Sequence, residues 1–319
     1  MRILFVTTVD PRSQGDYLEV SMLHGLRQVL GKDCVDYPRK KVMYHDWSDT
    51  PKEELHGNGF TLYKHPIKDL TPQERKLQNF DFVLYGVSHA YGVEENPNLN
   101  SLVGDENVWH LDGHDLYGFA PRMIESQGER IIGVQKPQTF KRELVEDHLP
   151  NVFPTGFGIP EYQIRPIDYT IKDQLYQKTA PDDALFKNVT DVGGSRTHHK
   201  FSVESDYYND LSRSWFGLSC KKGGWDCMRH YEIMAAGSLL LFKDYDKKSI
   251  LCSPQNLPCY SYSNHVELHE LMNSLVVDNK PTDEYVKMIT KQREWLLSTG
   301  TTKARAQSLI DVLKEMSND

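Results

Sequence analysis

The sequence predicts an α/β protein with parallel strands, and three observations carry that expectation. The chain opens with a short apolar run, Arg2 to Thr8, a polar loop, Asp10 to Asp16, and a helical repeat with Leu18, Met22, Leu26 and Leu30 at four-residue spacing. The stretch from Phe216 to Phe242 reads as strand, basic glycine loop, helix, small-residue stop and strand. Other short apolar runs in the first half end in loops carrying Ser, His, Asp and Gly, as buried parallel strands do.

Each element follows from its own pattern. The first helix fits Tyr17 to Leu30 and stops at Gly31. Strands follow at Phe80–Tyr85, leading to Ser88 and His89, and at Asn107–Leu111, leading to Asp112, Gly113, His114 and Asp115. Arg130 to Val134 reads as a further strand, and Asn151 to Pro160 as a strand breaking into a Gly/Pro-rich exit. Residues 160–200 are polar and resist assignment, with a basic loop at Arg196 to Lys200. Helices fit Glu204–Arg213, Val266–Val277, Asp283–Leu297 and Thr302–Met316, and a strand fits Ser238–Lys243.

Composition narrows the function classes. At 319 residues the chain suits two domains, and 39% hydrophobic and 11% aromatic residues can fill their cores. A mean hydropathy of -0.58 fits long polar surfaces and loops. A net charge of -8 argues against bulk electrostatic binding to nucleic acid or an anionic membrane. No run approaches the length of a membrane span, and the first residues lack the apolar length of a signal peptide. Cys34, Cys220, Cys227, Cys252 and Cys259 are odd in number, and neither Cys220/Cys227 nor Cys252/Cys259 has zinc-site spacing. Reduced thiols in a cytoplasmic protein are the expectation.

The candidate chemistry centres on the glycine loop. Lys221, Lys222, Gly223 and Gly224 open a helix holding Arg229 and, two turns in, Glu232. Free N–H groups and the helix dipole favour a phosphate there, glycines let the backbone approach, and a carboxylate suits the paired hydroxyls of a ribose. An ordinary strand–loop–helix with solvated lysines has the same local sequence. Arg196, His198, His199 and Lys200 suit a diphosphate, or form a solvated turn. His114 lies past a strand end, where ligands of parallel sheets bind, with Asp112 and Asp115 flanking it either to orient its ring or to act as a base; an Asp/Gly turn with polar surface side chains has the same sequence. Asp244 and Asp246 form an Asp-x-Asp, but Lys243, Lys247 and Lys248 already neutralise it, so no metal site is expected. Neither a P-loop, a Gly-x-Gly-x-x-Gly turn after the first strand nor a Gly-x-Ser-x-Gly elbow is present.

In this order the features resemble the GT-B glycosyltransferases, in particular the retaining nucleotide-sugar enzymes and their spore-coat-like relatives, over most of the chain. The resemblance is carried by the first strand, loop and helix; by Trp109-His-Leu-Asp-Gly-His-Asp115; by Phe153-Pro-Thr-Gly-Phe-Gly-Ile159; by Tyr207 to Ser219; and above all by Tyr231-Glu-Ile-Met-Ala-Ala-Gly237. It implies two Rossmann-like domains facing a cleft, over residues 1–162 and 163–300, with a last helix in 301–319 packing back on the first. It implies transfer of a sugar from a nucleotide sugar, a UDP sugar foremost, with no metal or other cofactor required. By the same resemblance Glu232 matches the ribose carboxylate, and Lys221, Lys222, Gly223, Gly224 and Arg229 face the donor. Arg196 and Lys200 match the basic pair on the diphosphate, and His114 the histidine near the transferred sugar, with Asp115 beside it. The acceptor side falls to Gly15, Asp16, His89 and Asp112.

One departure stands out. These families often carry a second glutamate eight residues before the ribose-binding one, and here that position is Gly224. Asp226, two residues on, or the loop's own N–H groups would have to substitute, which leaves retention or inversion open. A glycan or lipid-linked acceptor fits the resemblance. A hydroxymethylated base in phage DNA is an alternative, with Arg39, Lys40 and Lys41 beside Tyr37 and Tyr44 as a small basic-aromatic patch. A non-catalytic nucleotide-sugar binder is a third reading, kept open by the missing glutamate.

Overall fold

The computed structural model describes residues 1–7, 17–45, 55–86, 96–115, 122–124, 129–131, 138–145, 149–178 and 201–317. In the first half, β1 (Ile3–Val6), β2 (Cys34–Tyr37), β3 (Phe82–Tyr85), β4 (Val108–Asp112), β7 (Thr139–Lys141) and β8 (Val152–Pro154) form a six-stranded sheet in the order β2-β1-β3-β4-β7-β8. All its pairings are parallel. Helix α1 (Tyr17–Leu30) follows β1, and the short α2 (Pro97–Asn100) precedes β4. A small antiparallel pair, β5 (Arg122–Ile124) and β6 (Glu129–Ile131), stands apart.

In the second half, β9 (Gln174–Tyr176), β10 (Ser214–Cys220), β11 (Leu239–Lys243) and β12 (Tyr260–Tyr262) form a four-stranded parallel sheet in the order β12-β11-β10-β9. Helix α3 (Glu204–Arg213) leads into β10, and α4 (Met228–Ala235) joins β10 to β11. Helix α5 (His265–Leu275), the β13–β14 ribbon (Val276–Val277 and Lys280–Pro281), α6 (Asp283–Trp295) and α7 (Thr302–Ser317) complete the chain. None of the described helices is long and apolar enough to cross a membrane.

Local sequence explains the ends of these elements. α1 buries Leu18, Met22 and Leu26 and stops at Gly31, whose φ of +57° is a left-handed conformation that glycine adopts without steric cost. Asn264 caps α5 by accepting from the N–H groups of Val266 and Glu267, and Thr282 caps α6 through the N–H of Tyr285.

Two expectations change. Of the expected strand Arg130 to Val134, Arg130 and Ile131 pair antiparallel with β5 and not with the main sheet, and residues 132–134 lie outside the described residues. The sheet instead gains β2 and β7, whose short, charge-containing runs gave no periodicity to read. Glu232 also lies nearer the helix start than expected, because α4 begins only at Met228.

The two halves share one core. A continuous apolar cluster runs from Ile3, Phe5 and Leu26 through Phe157 and Ile159 to Tyr231, Leu240 and Leu313, while a second, around Phe216, Leu218, Leu268 and Tyr285, lies in the second half. The chain crosses between halves twice, side by side. The Ile159 N–H donates to the Gly300 carbonyl and the Thr302 N–H to the Ile159 carbonyl, each at 2.9 Å. The final helix α7 then packs on α1. A Cβ at Gly25 would lie 1.9 Å from the Thr302 carbonyl oxygen, so this crossing needs glycine.

Candidate functional site between the sheets

The carboxyl end of β4 and the loop after β10 meet. At the end of β4, the Asp112 carboxylate accepts from the His114 N–H at 2.9 Å and from Lys141 Nζ at 3.3 Å. Asp112 is buried and holds the turn that presents His114 and Asp115, both half-buried. Burial pushes the Lys141 ammonium below the usual lysine range.

Arg142 then ties this turn to the second half. Its guanidinium is fully buried, stacks 4.7 Å over the Phe157 ring and donates to the carbonyls of Gly113 (2.9 Å) and Asp226 (2.8 Å). It also pairs with the carboxylates of Glu143 (3.1 Å) and Asp115. Despite burial, which alone would lower it, the Arg142 pKa is raised by Asp226, Glu143 and Asp115.

The loop glycines have a definite reason to be glycine. A Cβ at Gly223 would sit 2.1 Å from an Asp115 carboxylate oxygen, and one at Gly224 would sit 2.3 Å from Glu143 Oε1. The close approach is therefore to two carboxylates of the first half. Glu143, buried and pushed above the ordinary carboxylate range by that burial, accepts the N–H groups of Trp225 and Asp226. Lys221 and Lys222 are exposed, with the Lys221 ammonium 5.2 Å from the Trp225 ring centroid.

The Asp226 carboxylate has fixed partners. Oδ2 accepts the Phe157 N–H and Oδ1 the Tyr231 hydroxyl, each at 2.8 Å, in a site 4% exposed. Asp226 thereby joins the crossing segment to α4.

Glu232 sits further along α4, 6% exposed. Its Oε1 accepts the Thr61 hydroxyl at 2.5 Å and its Oε2 the Tyr207 hydroxyl at 2.7 Å. Burial raises its pKa, against the lowering effect of those hydroxyls and of Arg229. Arg229, half-buried in the first turn of α4, has an enclosed Nη1 with no hydrogen-bond partner among the described residues. A buried unpaired guanidinium nitrogen is a donor that a ligand oxygen would complete. Tyr17, the first residue of α1, lies close enough to Glu232, Cys227 and Arg229 to feel their charges.

The structure therefore brings together His114, Asp115, Gly223, Gly224 and Asp226 around Arg142. It sets Arg229 and Glu232 together a helical turn away. Gly15, Asp16, His89, Arg196 and Lys200 lie outside the described residues. Asp244 pairs with Lys247 at 2.7 Å and Lys243 at 3.7 Å. Of the basic-aromatic patch, Arg39 pairs with Asp69 at 2.7 Å and Lys40 with buried Glu19 at 2.7 Å, leaving Lys41 exposed. Sequence reasoning missed Arg142, Glu143 and Thr61. The signal for the first two was the charged run Lys141-Arg142-Glu143 directly after apolar Phe140.

No protein-family model matches the chain, and no curated protein matches it. Solved structures do. AviGT4, a glycosyltransferase involved in avilamycin A biosynthesis, superposes with a TM-score of 0.50 at 12% identity, covering 100% of this chain and 98% of its own. A glycosyltransferase from Rickettsia africae ESF-5 gives a TM-score of 0.46 at 10% identity, covering 100% and 99%. The N-terminal domain of a Candida albicans trehalose-6-phosphate phosphatase gives 0.45 at 12%, covering 99% and 97%. At these identities the likeness concerns the backbone, and the first of the three carries it: along its whole length, this chain has a glycosyltransferase-like fold.

Proposed function

We propose that this protein is a GT-B glycosyltransferase that moves a sugar from a nucleotide sugar, a UDP sugar foremost, to a hydroxyl acceptor. In this reading residues 1–162 form the acceptor-side domain, 163–300 the donor-binding domain, and 301–319 return to the first. The observation that carries it is the presence on α4 of a buried carboxylate, Glu232, and of Arg229, whose enclosed Nη1 has no hydrogen-bond partner among the described residues, after a glycine loop that meets the His114–Asp115 turn. Glu232 would hold ribose hydroxyls. Arg229, Lys221, Lys222, Arg196, Lys200 and the loop N–H groups would stabilise the charge that grows on the departing diphosphate. As the bond from the anomeric carbon to the diphosphate breaks, the acceptor oxygen bonds to that carbon and gives up its proton, with His114 or Asp115 as the base.

Asp226, whose oxygens serve Phe157 and Tyr231, acts here as a positioning residue. Asp112 does the same for His114. The acceptor side takes in Gly15, Asp16 and His89. A glycan or lipid-linked acceptor is favoured over a modified DNA base, since Arg39 and Lys40 already have carboxylate partners. With this many cations at the donor side, activity should persist in excess chelator. A thermal-shift panel of UDP, GDP, ADP and UDP sugars tests the donor. A ligand at a hundred times its Kd stabilises by about 2.7 kcal/mol, so a uridine nucleotide should raise the melting temperature, and a panel with no response would overturn the reading.

One observation favours a second reading, a non-catalytic binder: Gly224 stands where these families often carry a glutamate. Incubation with UDP sugars alone separates the two. Slow hydrolysis is expected of an enzyme, and tight binding without turnover of a binder.

A further inference from the structure

We propose that, without ligand, the first half of the chain occupies both ends of the donor site with its own groups: the Thr61 hydroxyl stands on Glu232 in place of a ribose hydroxyl, and the Glu143 carboxylate stands on the loop N–H groups in place of a phosphate oxygen. Donor binding then requires their release. The inference rests on the donor reading given above.

The ribose end is covered by a strap, residues 55–65, reaching from the first half to α3 and α4. The Thr61 hydroxyl donates to Glu232 and lies 3.1 Å from the Tyr208 hydroxyl, and the Thr61 N–H donates to Glu204 at 2.6 Å. Asn58 Nδ2 donates to the Phe201 carbonyl at 3.4 Å, and Phe60 stacks on Tyr207 at 5.9 Å. With Thr61 only 2% exposed and Glu232 buried beneath it, no ligand hydroxyl reaches that carboxylate while the strap is seated.

The strap's backbone is strained at Thr61, whose φ of +70° is one that a β-branched side chain rarely tolerates; Asn58 and Lys64 also have positive φ, as do Gly57 and Gly59, where glycine bears it without steric cost. The contacts to Glu232 and Glu204 hold it there. A ligand that supplies its own hydroxyls to Glu232 removes the main tie and lets the strain relax, which makes the strap a two-state element.

The phosphate end is covered in a matching way. Trp225 and Asp226, just before α4, aim their N–H groups at one anionic oxygen, and Glu143 provides it. The same contact read as mere positioning of Glu232 and the loop predicts the opposite sign for each variant below.

The experiment is calorimetric titration of uridine and of UDP into the wild type, Thr61→Val and Glu143→Gln, with hydrogen exchange of residues 55–65 measured alongside. Thr61→Val keeps the β-branched shape and loses the tie. It should raise affinity for both uridine and UDP about tenfold, the scale of one hydrogen bond. It should also speed ligand-free exchange across 55–65. Glu143→Gln should raise affinity for UDP alone; if it does not fold, Thr61→Val carries the test. UDP binding to the wild type should loosen 55–65. Weaker UDP binding by Thr61→Val, or protection of 55–65 by UDP, would overturn the proposal while the donor reading stands. If exchange rises in Thr61→Val but neither compound binds any variant, the donor reading fails and takes the proposal's ligand with it.

Discussion

Two carboxylates near the start of α4, Asp226 and Glu232, both face the first half of the chain, yet they are held in different ways. Asp226 meets a backbone N–H and a tyrosine hydroxyl on fixed elements. Glu232 meets two side-chain hydroxyls, one on a strap with five left-handed residues. A carboxylate saturated by rigid partners stabilises the fold. One satisfied by a strained, displaceable hydroxyl is poised for exchange with a ligand. The comparison separates an acid held by fixed partners from one held by a strap, a distinction that residue type and spacing do not make, and on the proposed function it assigns the donor contact to Glu232.

The comparison breaks most directly at the rigid end. Arg142→Met would strand a buried Glu143 and leave the Gly113 and Asp226 carbonyls short of a donor, costing on the order of 3–5 kcal/mol. Asp226→Ala should follow at about 3 kcal/mol, since it leaves the Phe157 N–H and Tyr231 hydroxyl unpaired. Urea melts measure both. If either variant melts like the wild type, this corner is not what holds the halves together.

A pH effect of similar size should arise away from the donor site. Burial lowers His24 to about 4, and His65, its ring centroid 4.1 Å away and tilted by 31°, is lowered by burial and by His24 itself. Because the folded pKa lies below the unfolded one, near 6.5, this stability is fully present above about pH 6.5 and is lost as pH falls toward 4. His24 alone accounts for about 3 kcal/mol over that window. Glu143, Glu204 and Glu232, all raised mainly by burial, pull the other way, gaining stability as pH falls. The useful quantity is therefore the difference between wild type and His24→Gln. The wild type should lose more stability between pH 7 and 5, and parallel curves would refute the role given to His24.

Exposed Lys221 and Lys222 should matter least for folding. Their alanine variants should melt within about 1 °C of the wild type, as surface changes do, and lower turnover of a UDP sugar severalfold. Rates within about twofold of the wild type in both would make them ordinary surface charges.

How much of this was legible in the sequence depends on where the chemistry lies. α1 matches its predicted span and α3 likewise, because four-residue apolar spacing and flanking stops are local signals. The meeting of His114 and Asp115 with Gly223 and Gly224 was legible only in part, as two loops each at a strand end. What joins them was not, because Arg142 follows a three-residue strand too short to show a period. Thr61 was illegible for a different reason: its importance lies in a backbone angle and a partner 171 positions away, and neither leaves a mark on neighbouring residues. The glycines were picked for the close approach of a phosphate, and the groups that approach them in the structure are Asp115 and Glu143.

The central claim is that Glu232, not Asp226, is the acid that reads the donor. Calorimetric titration of UDP into the wild type and Glu232→Ala, with a melting curve for each, tests it directly. The account predicts a loss of affinity of about ten- to a hundredfold, the worth of a charged hydrogen bond, in a variant that still melts cooperatively. Unchanged UDP affinity in a folded Glu232→Ala variant would contradict it.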